Sequence, residues 1–206
     1  MHIPKSNTMA LSVLSFEEAL LGSKAELYDR ERWLYVPDFY SEYRYILGTK
    51  GKKPLVCIGI NPSTAEPDNL DPTLASVQRI ALHNGFDSFI MFNVYAQRAT
   101  DPDHMEKECN PFLHEENMKA FEYILSNCCD DTPAIWAAWG TIIEKRKYLS
   151  DCVSDMIAIG KKFDAVWYSA GARSKKGGHP HHPLYLKKTS TLDTFNIEEY
   201  WRGLNL

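Results

Sequence analysis

Four short apolar runs, each followed by polar residues and separated by amphipathic helical segments, predict a three-layer α/β/α sandwich around a short, mostly parallel four-stranded sheet. The runs are Leu55 to Ile60, Phe89 to Phe92, Ala134 to Ala138 and Asp164 to Tyr168, apolar nearly throughout, as strands covered on both faces must be. Helical segments between them supply the right-handed crossovers that parallel strands require. Directly after the runs come Asn61, Asn93, Trp139-Gly140 and the stretch His179 to Leu184, so the polar residues collect at one edge of the sheet and outline a ligand cleft there.

Each element has its own signal. Arg32 to Val36 and Tyr43 to Leu47 read as two short strands that extend the sheet or cover one edge of it, with Pro37 and Asp38 starting their connection. Asp71 before Pro72 is an N-cap and first-turn pair, Leu74, Val77 and Ala81 form a helical stripe, and Gly85 stops the helix. Asn110-Pro111 repeats that opening, and Met118, Phe121 and Leu125 mark the buried face that follows. Ile142, Arg146, Leu149, Val153 and Met156 indicate a third helix.

One domain over residues 1–206 is expected, its first fifty residues forming an aromatic-rich extension. A hydrophobic content of 44% and an aromatic content of 12% suit a globular core. No window approaches the roughly 18 apolar residues of a membrane span, and the N-terminus lacks a basic region leading into an apolar stretch. A cytoplasmic location is therefore expected. The five cysteines lack paired CxxC spacing, so reduced thiols are expected rather than disulfides or a metal centre. His179, His181 and His182 lie close together but lack an acidic or thiol partner, which makes a poor metal site, and no cofactor is implied. The aromatics from Trp33 to Tyr45 suit a core better than a base-stacking platform.

Charge is unevenly spread. Nine acids stand against two lysines from Asp101 to Asp131, whereas no acid occurs between Asp164 and Asp193. That second stretch holds Arg173, Lys175, Lys176, Lys187 and Lys188, a basic loop suited to a phosphate-bearing ligand or to a solvated surface alike.

The motifs IGINPSTA (Ile58 to Ala65), DPT (Asp71 to Thr73), FNVYAQRATDP (Phe92 to Pro102), AAWG (Ala137 to Gly140) and HPLYL (His182 to Leu186) occur in one order. Over about Tyr43 to Leu186 the chain resembles a bacterial and phage family known as DUF1643. That family in turn resembles the uracil-DNA glycosylase superfamily, whose strands end in a G-x-[DN]-P motif, an Asn, a Trp-Gly and a His-Pro loop. Gly59-Ile60-Asn61-Pro62 fits the first motif and is closest to the mismatch-specific branch. Asn93 and Trp139-Gly140 fit the next two. The last fits in two registers, at His182-Pro183-Leu184 or at His179-Pro180.

The resemblance implies a uracil-DNA glycosylase-like sheet and a hydrolase that releases a modified or mispaired base. Asn61 would orient water, Asn93 would read the base edge, and His182 or His179 would donate to a carbonyl that becomes anionic as the glycosidic bond breaks. Gly59, Pro62, Ser63, Trp139, Gly140 and Leu184 would complete the substrate site, with Arg98, Lys175 and Lys176 toward phosphate. Asn61 stands where the classical branch has a water-activating Asp, and an amide has no useful basicity, so the mechanism would be dissociative with late attack by water. Asp71 and Asp101 are the nearest substitute acids, each with a capping or turn role of its own. Two other functions stay open: a nucleotide or nucleic-acid binding protein without turnover, and an enzyme acting on a nucleotide-like small molecule. The expected partners are a nucleobase, a nucleotide or DNA, not a membrane, and no feature sets the oligomeric state.

Overall fold

Val56 and Ile58 turn to one face of the central sheet while Leu55 and Cys57 turn to the other, and each pair enters its own apolar cluster. A strand buried on both faces needs a layer above and a layer below. The computed structural model, which describes residues 7–22 and 28–204, supplies both. Its strands are β1 (Trp33–Val36), β2 (Ile46–Thr49), β3 (Pro54–Gly59), β4 (Ser88–Asn93), β5 (Ala134–Ala137), β6 (Val166–Ala170) and β7 (Leu192–Thr194). Its helices are α1 (Phe16–Leu21), α2 (Pro72–His83), α3 (Pro111–Asn127), α4 (Tyr148–Lys162) and α5 (Ile197–Leu204). Leu74, Val77, Ile80 and Ala81 of α2 pack on one face. The buried residues of α1, α3, α4 and α5 pack on the other.

Beyond the four central and two N-terminal strands expected from the sequence, the sheet gains one more, β7. It has seven in the order β1-β2-β4-β3-β5-β6-β7 and is mixed. The inner four strands are parallel, whereas β1, β2 and β7 join antiparallel at the two sides. The chain leaves β3 toward β4 through α2, then returns across β3 to β5 through α3 on the opposite face. This reversal of direction opens a crevice between the carboxyl ends of β3 and β5.

Helix caps explain where the elements begin. Asp71 Oδ1 accepts from Leu74 N at 2.9 Å, and Asn110 Oδ1 accepts from Phe112 N and Leu113 N, so both Asx-Pro pairs open helices as their chemistry requires. Gly85 follows α2 with a φ of +79°, a left-handed turn that glycine adopts freely.

Several boundaries differ from the sequence expectation. The second strand runs from Ile46 to Thr49 rather than from Tyr43 to Leu47, because Tyr43 makes only an isolated bridge to Gln97 and the pairing continues through Gly48. A Cβ at Gly48 would lie 2.4 Å from Phe89 O, so this strand approaches its neighbour more closely than a side chain permits. β6 starts at Val166, since Asp164 sits at φ +51° in the turn that closes α4. Ile142 lies in a 3-10 turn (Gly140–Lys145) and Arg146 in an extended break, so neither belongs to the third helix. The aromatics Trp33, Tyr35, Tyr43 and Tyr45 are buried in the core. All five cysteines are free. Among the described residues no helix is long and apolar enough to cross a membrane.

Candidate functional site

The crevice is a cleft of about 1020 Å³. Its walls come from the ends of all four parallel strands. β3 delivers Gly59, Asn61, Pro62 and Ser63, β4 delivers Asn93, and β5 is followed by Trp139 and Gly140. Past β6, Lys175, His179, His182 and Leu184 complete the ring, joined by Asp71 and Pro72 at the start of α2. Arg98 and Lys176, expected at the site, are absent from the wall.

Asn61 Nδ2 donates to Pro62 O at 3.0 Å and to Ala99 O at 2.7 Å, tying the loop after β3 to the loop after β4. Both amide hydrogens are thereby used, and Oδ1 accepts no hydrogen bond among the described residues. The position presents an acceptor to the cleft and holds no base. Asp101 Oδ1 accepts from Asp103 N at 2.9 Å and shapes a turn.

Asn93 is 1% exposed. Its Oδ1 accepts from Arg44 Nη2 at 3.4 Å, and its Nδ2 is buried without a partner. A Cβ on Gly59 would come within 3.1 Å of that Nδ2 and 2.6 Å of Met91 Cε. Glycine at 59 is therefore what leaves Asn93 its room. An orphaned amide donor in a fully buried position is costly, and a ligand carbonyl would satisfy it.

The two histidine registers separate. His179 is 1% exposed, with Nδ1 2.9 Å from Tyr200 Oη and Nε2 3.0 Å from Glu144 Oε1. Trp139 Nε1 donates to the same Tyr200 hydroxyl at 2.9 Å. These partners assign one consistent order: indole N–H to hydroxyl, hydroxyl to Nδ1, and Nε2–H to carboxylate. The bond from His179 holds the Glu144 carboxyl below its ordinary range. His179 and the Trp139 indole are thus committed to the framework, and neither is offered to a ligand.

His182 is half-buried and differently placed. Its Nδ1 accepts from Leu184 N at 3.4 Å, which leaves Nε2 to carry the proton and gives it no partner among the described residues. Burial lowers its pKa, with His181 acting in the same sense and Asp71 opposing, so the ring is a neutral donor near pH 7. Two bonds fix the loop that carries it: Gly140 N donates to Pro180 O at 3.0 Å, and Ser76 Oγ of α2 donates to Pro183 O at 2.9 Å. Leu184 and Tyr185 stand exposed at the mouth, 42% and 76%, beside exposed Arg173 and Lys175.

Arg98 corrects the expectation of a phosphate ligand. It is buried under the loop after β3, donating to Ser63 O, to Ala65 O at 3.3 Å and to Tyr35 Oη at 3.0 Å, with its guanidinium 4.4 Å over the Tyr40 ring. Lys176 is exposed beyond the rim. The wall holds Arg173 and also Arg44, which sequence reasoning passed over. Its signal was present: one charge inside the run Tyr43-Arg44-Tyr45-Ile46-Leu47.

A family model described as "Protein of unknown function (DUF1643)" matches residues 44–184. The chain belongs to the DUF1643 family. No curated protein and no solved structure matches it. The DUF1643 region contains every wall residue named above except Tyr185 at the mouth, and Tyr200 on α5, which holds His179 and Trp139, also lies outside it.

Proposed function

We propose that the cleft receives a nucleobase, as part of a nucleotide or of DNA, and that the chain hydrolyses the N-glycosidic bond of a modified or mispaired base. The observation that carries this is the convergence of Asn61, Asn93 and His182 on one cleft at the carboxyl ends of parallel strands. The likeness of the DUF1643 motifs to the uracil-DNA glycosylase superfamily supports the same reading. Base-releasing chemistry needs the base held by its edge and its departing charge stabilised.

Asn93 Nδ2 donates to a carbonyl on the base edge. His182 Nε2–H donates to an oxygen that gains charge as the bond breaks, and a neutral ring does this without transferring its proton. The bonding electrons leave with the base, and water held by Asn61 Oδ1 adds to the sugar cation afterwards. Asp71, the carboxylate in the described wall, is held as the α2 cap by Leu74 N, and in this proposal the water gives up its proton, to the departed base anion or to solvent, only after it has added to the cation. Bond cleavage thus precedes water attack.

The mouth favours a phosphate-bearing substrate. Arg173 and Lys175 rim it together with exposed Leu184 and Tyr185, whereas neither α3 nor the N-terminal aromatics line it. A non-hydrolytic nucleotide or nucleic-acid binding protein is the second reading, favoured by the commitment of the Asn61 amide to two backbone carbonyls.

The test is release of free base from oligonucleotides carrying uracil, thymine mispairs, hypoxanthine and other modified bases. Release by the wild type that is lost in both Asn93→Ala and His182→Ala supports the hydrolase. Release that survives both substitutions removes these residues from the site. Tight binding across the panel without release transfers the conclusion to the second reading.

A further inference from the structure

Arg44 is 1% exposed, yet it lines the cleft, at its buried floor with Asn93. It donates through Nη1 to Ala65 O at 3.1 Å and through Nη2 to Asn93 Oδ1 at 3.4 Å, while Nε is buried without a partner. Arg98, also 1% exposed, donates to the same Ala65 carbonyl at 3.3 Å, and its own Nε is likewise orphaned. Two guanidinium groups therefore meet on one neutral oxygen. Among the described residues neither pairs with a carboxylate.

Buried charge without a counter-ion is expensive, and like charges side by side make it more so. Burial first, and the Arg98 charge second, bring the Arg44 pKa down to about 9, so it remains a cation at neutral pH. Beside it lies Asn93 Nδ2, a second buried donor without an acceptor. The N-terminal turn of α2 opens on the same cleft and adds its positive end. Asp71 is the one carboxylate in the described wall; its Oδ1 accepts from Leu74 N, it makes no ion pair with Arg44, and its charge offsets only part of the burial and Arg98 effects on that guanidinium.

We propose that the floor at Arg44 and Asn93 is an oxyanion subsite, which takes a carboxylate or phosphate group of the nucleotide-class ligand. The proposal rests on the reading of the cleft given above and goes beyond it, because a neutral base leaves Arg44 without a directly paired anion. Guanidinium and amide N–H groups side by side suit an anion with two oxygens, and charge-assisted bonds of this kind are the strong ones. Met91, whose methyl lies beside the Gly59 and Asn93 contact, is the flexible side chain that turns aside to admit it. The oxyanion has two sources: a carboxylate on the base itself, which reaches Arg44 while Asn93 keeps the base edge, or a phosphate of a nucleotide, which takes Asn93 Nδ2 in place of the base carbonyl.

Titration calorimetry on the full chain at constant ionic strength tests this with inorganic phosphate, deoxyuridine against deoxyuridine monophosphate, and uracil against carboxylated uracil. The anionic member of one pair is expected to bind at least about tenfold tighter, and which pair shows the difference identifies the source. Arg44→Gln erases that preference and phosphate binding with it. Arg44→Lys, which keeps the charge but not the planar fork, retains part of both and serves if the glutamine variant does not fold. Arg44-dependent phosphate binding without affinity for any base or nucleoside sustains the subsite and overturns the nucleotide reading. Absence of Arg44-dependent binding of any anion, phosphate included, overturns the subsite whatever the neutral bases do.

Discussion

Asn61→Asp would place at this position the carboxylate found in the classical glycosylase motif that the chain's motifs resemble, and the structure predicts that it damages the protein. The wild-type amide donates to Pro62 O at 3.0 Å and Ala99 O at 2.7 Å. A carboxylate has no hydrogen to give, so two bonds worth about 1 kcal/mol each are lost and anionic oxygen faces two carbonyls. With the side chain half-buried, the total is about 2 to 3 kcal/mol at pH 7.5. This penalty raises the folded-state pKa of the new carboxyl above its unfolded value of about 3.9. The folded variant then holds more protons than the unfolded chain between those two values, and its stability falls as pH rises through that window. Below it the protonated acid donates one bond and recovers part of the loss. Urea unfolding of wild type and variant at pH 7.5 and pH 4 measures both terms, and base release by the variant should not exceed that of the wild type. A deficit under about 0.5 kcal/mol at pH 7.5, or an equal deficit at both pH values, would refute the account.

Three further outcomes are expected. Arg44→Met should raise the unfolding free energy of the ligand-free protein by about 1 to 3 kcal/mol: the drop of Arg44 from 12.5 to about 9 opposes folding by about 5 kcal/mol at neutral pH, and two donated bonds offset part of it. Because the unfolded arginine keeps its proton to higher pH than the folded one, the wild type gains stability above pH 9 and the advantage of the variant shrinks there. His182 has a depressed folded pKa, so the unfolded chain takes up its proton first as pH falls, and stability is lost on acidification through the ordinary imidazole range; His182→Gln should flatten that part of a thermal-melt series from pH 7.5 to 5.5. Tyr200→Phe leaves Trp139 Nε1 and His179 Nδ1 unpaired in the interior and should cost about 2 to 3 kcal/mol in urea unfolding.

The inner sheet was legible because its strands are apolar on both faces and its helices open with Asx-Pro pairs, signals that tertiary packing reinforces. β7 was not, since Leu-Asp-Thr is three residues long with little buried surface and pairs only because β6 offers a free side. The polar strand ends Asn61, Asn93 and Gly140 were readable as a group, since the ends of parallel strands must lie side by side. Choosing between His179 and His182 was beyond the sequence, because the choice depends on Tyr200 and Glu144 reaching one ring from distant elements. Arg98 misled for a similar reason: a basic residue near a cleft motif reads as a ligand, and only packing reveals that its donors go to Ser63 O and Ala65 O.

The hydroxyl of Tyr200 bears on the order in which the site comes into being. Every residue of the cleft wall lies upstream of α5, yet two of the groups that shape the wall, the Trp139 indole and the His179 ring, find their shared partner only on that helix. During synthesis on the ribosome, the motifs emerge well before their geometry can set. A nascent chain stalled short of Tyr200 would carry the full set of recognition residues and still lack the hydroxyl that orients two of them.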